Sequence, residues 1–221
     1  MKLCLHEVTK IIRGTTVIDH VSMNSESGRV YGLNGYNGCG KTMLMRLISG
    51  LIRPSAGTVK FDDKVLGQDI DFPNSIGIMI ETPAFLNNYS GYDNLKLLAS
   101  IKCIINNDQI HKTLKRVGLS NVSTKAVRKY SLGMKQRLGI AAAIMEQPEL
   151  LILDEPTNAL DSDGIDQIKR IITEERDRGA LVIMTCHNHD ILMELSDVIF
   201  NMNQGRIEGV EVNSHENESD N

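Results

Sequence analysis

The sequence has no run of basic residues, no long apolar run and no Cys-x-x-Cys pair. Each absence removes a class of function. Lys and Arg total 24 against 28 Asp and Glu, a net charge of −4, so nothing supplies an electrostatic footprint for nucleic acid. The apolar stretches fall well short of the roughly 20 residues a membrane-spanning helix needs, and Met1-Lys2-Leu3-Cys4-Leu5-His6-Glu7 does not read as a signal peptide. Cys4, Cys39, Cys103 and Cys186 are scattered, which suits reduced cytoplasmic thiols better than a disulfide frame or a zinc site. No internal repeat is visible. If the protein works at a membrane, other subunits must supply the spanning part. A hydrophobic share of 41% and a charged share of 24% place the chain among soluble globular proteins large enough to bury a core.

One stretch organises the rest. Gly35-Tyr36-Asn37-Gly38-Cys39-Gly40-Lys41-Thr42 fits G-x-x-x-x-G-K-[ST], a loop that cradles phosphate. Arg29-Val30-Tyr31-Gly32-Leu33 before it suits a buried strand. Met43-Leu44-Met45-Arg46-Leu47-Ile48 after it is apolar at helical spacing and stopped by Gly50. Strand, glycine loop and helix together aim backbone N–H groups at a polyphosphate, whereas an incidental glycine turn would not have these flanks. Lys41 would reach the β- and γ-phosphates, and the Thr42 hydroxyl would ligate Mg²⁺. Cys39, inside the loop, is expected to be open to alkylation that blocks nucleotide.

Residues 1–34 read as β structure, with strands marked by Leu3, Leu5 and Val8 and by Val17, Ile18 and Val21, turning at Arg13-Gly14. Gly57 to Lys64 reads as a hairpin and Ile76 to Ile80 as a core strand. Helical patterns run from about Tyr89 to Ile110, from Gln109 to Val117, and from Gly133 to Gln147 with Ser131 as cap. After the apolar strand Leu150–Leu153 come a helix through Ile165 and Ile172, a strand at 180–185, a short helix at Ile191–Leu195 and a hairpin around Asn203-Gln204-Gly205. Strands alternating with helices imply a parallel sheet covered on both faces.

Leu150-Leu151-Ile152-Leu153-Asp154-Glu155 ends an apolar strand in two acids, placing carboxylates at the sheet edge where the phosphate loop also lies. Taken alone, an acidic turn explains it equally well. Beside the loop, Asp154 is expected to hold the Mg²⁺ shell and Glu155 to act as general base toward water.

Tyr130-Ser131-Leu132-Gly133-Met134-Lys135-Gln136-Arg137 resembles the signature motif of ATP-binding cassette (ABC) ATPases, Leu-Ser-Gly-Gly-Gln. Asn158-Ala159-Leu160-Asp161 sits where that family has its D-loop, and His187 where it has its switch histidine. The motifs follow in the family's order over nearly the whole chain. The resemblance implies an α/β fold of the P-loop NTPase, ABC ATPase type: a mixed sheet core, an N-terminal antiparallel β portion and an inserted helical subdomain at about 85–146. It implies one domain over 1–210, with 211–221 an acidic polar tail expected to be disordered. The implied activity is ATP hydrolysis with Mg²⁺, with Glu155, His187 and Lys41 catalytic. Asn34, Gly35, Asn37, Gly38, Cys39, Gly40, Lys41, Thr42 and Met43 would bind nucleotide. Ser131, Gly133 and Asp161 would bind it from a second copy, or from a homologous subunit, in a head-to-tail dimer. Thr42, Asp154 and Glu81 would form the metal set. Ser131 also makes physical sense here, because the N–H groups opening its helix form an anion site without side-chain charge. A metal pair of His187 and His189 is less well supported, since no third ligand is evident.

Several residues depart from the family pattern. The adenine-stacking aromatic is Ile12 or missing, the lid glutamine is Glu81, and Leu132 and Met134 replace glycine and glutamine in the signature. Leu132 with Glu81 resembles the branch linked to peptide-antibiotic resistance, bacteriocin immunity and drug efflux. The implied role is to drive a separate integral membrane permease, with the ATPase held at the inner face of the cell membrane and Phe85 and Leu86 as contact residues. The alternative is a soluble ABC ATPase acting on ribosomes or as a nucleotide-dependent regulator.

Overall fold

The strand that feeds the glycine loop lies inside the larger of two sheets. In this computed structural model, which describes residues 1–213, β3 (Arg29–Asn34) is flanked by β8 (Leu181–Met184) and β9 (Val198–Asn203). Beyond them lie β7 (Leu150–Leu153), β6 (Ile76–Met79) and β10 (Arg206–Val212), giving the order β10-β9-β3-β8-β7-β6. All pairings are parallel except the β9–β10 hairpin at the edge. Strands buried on both faces require continuous apolar runs. Tyr31, Leu33, Ile152 and Ile183 point into one core, while Val30, Leu151, Leu153 and Val182 point into the other.

A smaller antiparallel sheet covers the first face, with order β2-β1-β4-β5. Its strands are β1 (Lys2–Ile12), β2 (Thr15–Glu26), β4 (Ala56–Phe61) and β5 (Lys64–Val65). The helix after the glycine loop, α1 (Lys41–Ile48), shares this core, with Leu44, Met45, Leu47 and Ile48 fully buried. At roughly 1.5–3 kcal/mol for each such side chain, this burial fixes where α1 starts. The second face carries α2 (Gly91–Lys102), α3 (Asn107–Arg116), α4 (Leu132–Ile144), α5 (Ser162–Asp177) and α6 (His189–Leu195). None of the described helices is long and apolar enough to cross a membrane.

Ser90, Asn106, Ser131, Asp161 and Asn188 cap α2 to α6, each side chain accepting a backbone N–H in the first turn. Helix α1 differs. Gly40 precedes it with φ 115° and offers no side chain to its N–H groups.

Some boundaries differ from those expected. The pattern from 89 to 110 breaks at Cys103, which ends α2 in the left-handed conformation, and α3 begins at its own cap. The helix expected to reach Gln147 stops at Ile144. Strand β10 continues to Val212, past the expected domain boundary at 210, because Glu211 and Val212 pair with Ile199 and Val198. The remainder of the expected tail, residues 214–221, lies outside the described residues.

Gly77 sets the distance between α4 and the sheet, since a Cβ there would lie 1.9 Å from Ala143 O. Gly77→Ala is expected to destabilise the protein toward urea by about 1–3 kcal/mol. Gly209→Ala, with nothing nearer than 3.7 Å, should change it by less than about 0.5 kcal/mol. A neutral Gly77→Ala would contradict this packing.

Candidate functional site

A cavity of about 740 Å³ opens where the carboxyl ends of β3, β7 and β8 meet the start of α1. Open α/β sheets place ligands at this edge. A groove of similar size, about 760 Å³, lies among Lys2, Arg29 and Val210 but contains none of the motif residues.

The loop's path depends on glycine at two contacts. Gly35 and Gly40 have φ of 148° and 115°. A Cβ on Gly35 would lie 2.4 Å from Met202 O, and one on Gly40 would lie 2.9 Å from Ile18 Cδ1. Cys39 N–H turns back to Tyr36 O at 3.2 Å, while those of Gly38, Gly40, Lys41 and Thr42 find no acceptor among the described residues. Free amides gathered at a helix N-terminus are the kind of donors that suit an anion. The Lys41 ammonium lies over the loop, donating to Gly35 O at 2.5 Å and Tyr36 O at 3.1 Å.

Hydroxyl groups tie this loop to the acids. Thr42 Oγ1 donates to Asp154 Oδ2 at 2.8 Å, and Thr185 Oγ1 donates to Asp154 Oδ1 at 2.7 Å. Thr185 Oγ1 also accepts Glu155 N–H at 2.9 Å. Glu155 takes a left-handed backbone, φ 53°, and its carbonyl accepts from Gln136 Nε2 at 2.8 Å. Its carboxylate accepts His187 N–H at 2.7 Å and lies 3.6 Å from His187 Nδ1. Burial raises the Glu155 pKa above the usual carboxylate range, opposed by His187 and Lys41 and reinforced by Asp154. A carboxylate that holds its proton more readily is suited to taking one from water. The Thr42 and Asp154 oxygens are hard donors adjacent at the cavity wall, the type that suits Mg²⁺.

Asn37 and Met43 line the cavity. Other expected residues lie elsewhere. Asn34 donates to Asn201 Oδ1 at 2.7 Å and does not line the cavity. Cys39 is 1% exposed, with its sulfur packed at Gly35, which removes the expectation of alkylation. Glu81 pairs with Arg46 at 2.5 Å and meets Asp154 and Glu155 in an adjacent cavity of about 260 Å³ rather than in the loop cavity. Ile12 does not line the cavity either; Thr15, Thr16 and Val17 do. Ser131, Gly133 and Asp161 lie outside it. Ser131 accepts Met134 N–H at 3.2 Å, and Asp161 accepts from Gly164 N–H and Arg137 Nη2.

Sequence reading misses Thr185, Gln136 and the role of the turn at Gln204-Gly205. The signal for Thr185 is a hydroxyl closing an apolar strand level with the two acids. The turn itself is legible, but not its contact with the loop, where Gly205 N–H donates to Cys39 O at 2.8 Å.

Residues 18–158 match the family described as ABC transporter. The chain is 46% identical over 201 residues to the uncharacterized ABC transporter ATP-binding protein YybJ of Bacillus subtilis (strain 168), covering 91% of this chain and 92% of that one. It is 39% identical over 202 residues to the bacitracin transport ATP-binding protein BcrA of Enterococcus faecalis, covering 90% of this chain and 66% of that relative's length. A dimeric bacterial ABC transporter cassette superposes with a TM-score of 0.86 at 21% identity, covering 95% of this chain and 98% of that chain.

Because burial raises the Glu155 pKa, the folded protein favours the protonated form more than the unfolded chain does. The resulting destabilisation is full above the folded pKa and vanishes below the unfolded one. Glu155→Gln should therefore melt at a higher temperature than the parent at about pH 8, the difference closing toward about pH 4. A variant that melts lower at the higher pH would contradict the burial assignment.

Proposed function

This chain belongs to the ABC transporter family of ATP-binding proteins, and from that premise we propose that it hydrolyses ATP to drive a separate membrane permease. The observation that carries the reading is the convergence on one cavity of open loop amides, Lys41, and the Thr42–Asp154–Thr185–Glu155 hydrogen-bond chain.

The N–H groups at Gly38 to Thr42 and the Lys41 ammonium bind the β- and γ-phosphates. Thr42 and Asp154 would hold Mg²⁺, which supplies charge neutralisation for the phosphates. Glu155 orients a water toward the γ-phosphorus and takes its proton, and His187 holds the Glu155 carboxylate through its backbone N–H. The bond from the γ-phosphorus to the leaving ADP oxygen then breaks.

Ser131, Gly133 and Asp161 do not line this cavity, and in this reading they serve the ATP held by a second copy or a homologous subunit. Two such chains, head to tail, close around two ATP molecules and reopen after hydrolysis; that motion is the output to the permease. Leu86 and Tyr89, 47% and 52% exposed, support docking between the lid segment and the helical subdomain, whereas Phe85 packs against the helical core. The permease would hold the chain at the cytoplasmic face of the membrane. The likeness to BcrA, together with Leu132 and Glu81, supports export of an antimicrobial peptide or drug.

Glu155→Gln is expected to lower turnover at least about 10²-fold while ATP converts the variant to a dimer in size-exclusion chromatography. Lys41→Ala should lose ATP binding by calorimetry. Parental turnover in the first variant, or parental affinity in the second, would remove these residues from their roles.

A further inference from the structure

We infer that Gln136 is a positioning residue that ties the general base of one ATP site to engagement of the other; this rests on the dimer reading above. The observation is a shared mounting. Helix α4 is the one whose tip, at Ser131, faces the second copy's nucleotide. Within its first two turns it also holds the Ala159–Asp161 segment and the general base Glu155 of its own chain. Gly133 abuts Ala159 O, a Cβ there lying 2.6 Å away, and Arg137 Nη2 donates to Asp161 Oδ1 at 3.0 Å. Gln136 Nε2 donates to the Glu155 carbonyl at 2.8 Å.

Glu155 needs such support. Its φ of 53° is one that a residue other than glycine keeps only when its surroundings impose it. Three hydrogen bonds hold its backbone, one of them a local turn bond from Asn158 N–H to its carbonyl at 3.2 Å. Thr185, fully buried at the end of β8, accepts its N–H, and Gln136 donates to its carbonyl. The β8 anchor belongs to the packed sheet. The α4 anchor sits on a helix whose tip stands about 7.5 Å away along the axis, at 1.5 Å per residue. Leu138 and Ile140, fully buried, fasten that helix, so displacement at Ser131 reaches Gln136 as rigid movement. When the tip closes on the second copy's γ-phosphate, the Glu155 peptide is fixed and its carboxylate aimed. When it is withdrawn, the bonds from Thr185, Asn158 N–H and His187 N–H remain, and Glu155 loses its one tie to α4. Gln136 itself is 8% exposed and lines not the loop cavity but a smaller one of about 260 Å³, shared with Leu132, Asp154 and Glu155.

The test is a double-mutant cycle on the full chain. Gln136→Met keeps the length of the side chain and removes the donor. It should lower kcat about tenfold with KM for ATP and melting temperature unchanged. Ser131→Ala should also lower kcat, and the double variant should lose less than the product of the two single losses, because both act through one route. Gln136→Asn, whose amide stops one methylene short, should behave as Gln136→Met does and provides a second variant should Met disturb folding. ATP-dependent dimerisation is measured alongside, in a Glu155→Gln background. With the dimer intact, a parental kcat or multiplicative losses overturn the role of Gln136 alone. Absence of an ATP-dependent dimer in that background overturns the dimer reading with it.

Discussion

The Asp154 carboxylate, 8% exposed, accepts a hydroxyl on each oxygen: Thr42 from the first turn of α1 and Thr185 from the end of β8. A charge carried that far from water is tolerated only where its oxygens are satisfied. These two bonds satisfy them and also join two separate parts of the molecule. Through Thr42 the carboxylate holds the phosphate loop, and through Thr185 it holds the backbone of Glu155. The position of α1 is set by its four buried apolar side chains, and that of β8 by the sheet. The site is therefore the place where the two cores on either side of the larger sheet meet.

The phosphate loop is held as much by close approach as by hydrogen bonds. Gly35 lies against the backbone of Met202, Gly40 against the start of β2, and Gly205 against Val17 O, a Cβ there lying 2.7 Å away. Two glycines of the loop and one of the β9–β10 turn let the loop, the β2 strand and that turn interlock. The same loop leaves α1 without a capping side chain, whereas the other described α-helices are all capped by their own residues. The free amides at that end are a consequence of the choice of glycine at position 40.

Most of the fold was legible because local signals and burial agreed. Apolar runs of four residues at Leu150 and Leu181 became strands buried on both faces, and the Ser131 cap marks a real helix start. Local pattern could not separate α2 from α3, because the break at Cys103 uses a residue with no breaker signature. It also cut β10 short, since the pairing partners of Glu211 and Val212 are set by the sheet. Within the site, the loop and the two acids were readable as motifs. Thr185, Gln136 and Gly205 were not, because each acts through a contact more than a dozen residues away in the chain. Glu81, expected near metal, pairs with Arg46 and shares a second cavity, beside the loop cavity, with Asp154 and Glu155.

The central claim is that ATP is clamped between the glycine loop of one copy and the α4 tip of another. Tyr36 and Leu132, 55% and 61% exposed, lie at those two surfaces. The direct measurement is disulfide formation in a chain carrying Tyr36→Cys and Leu132→Cys, with the exposed Cys103 replaced by Ser and Glu155 by Gln to prevent turnover. The account predicts a covalent dimer that forms with ATP and not without it. A chain that stays monomeric with ATP, or cross-links equally without nucleotide, would contradict it.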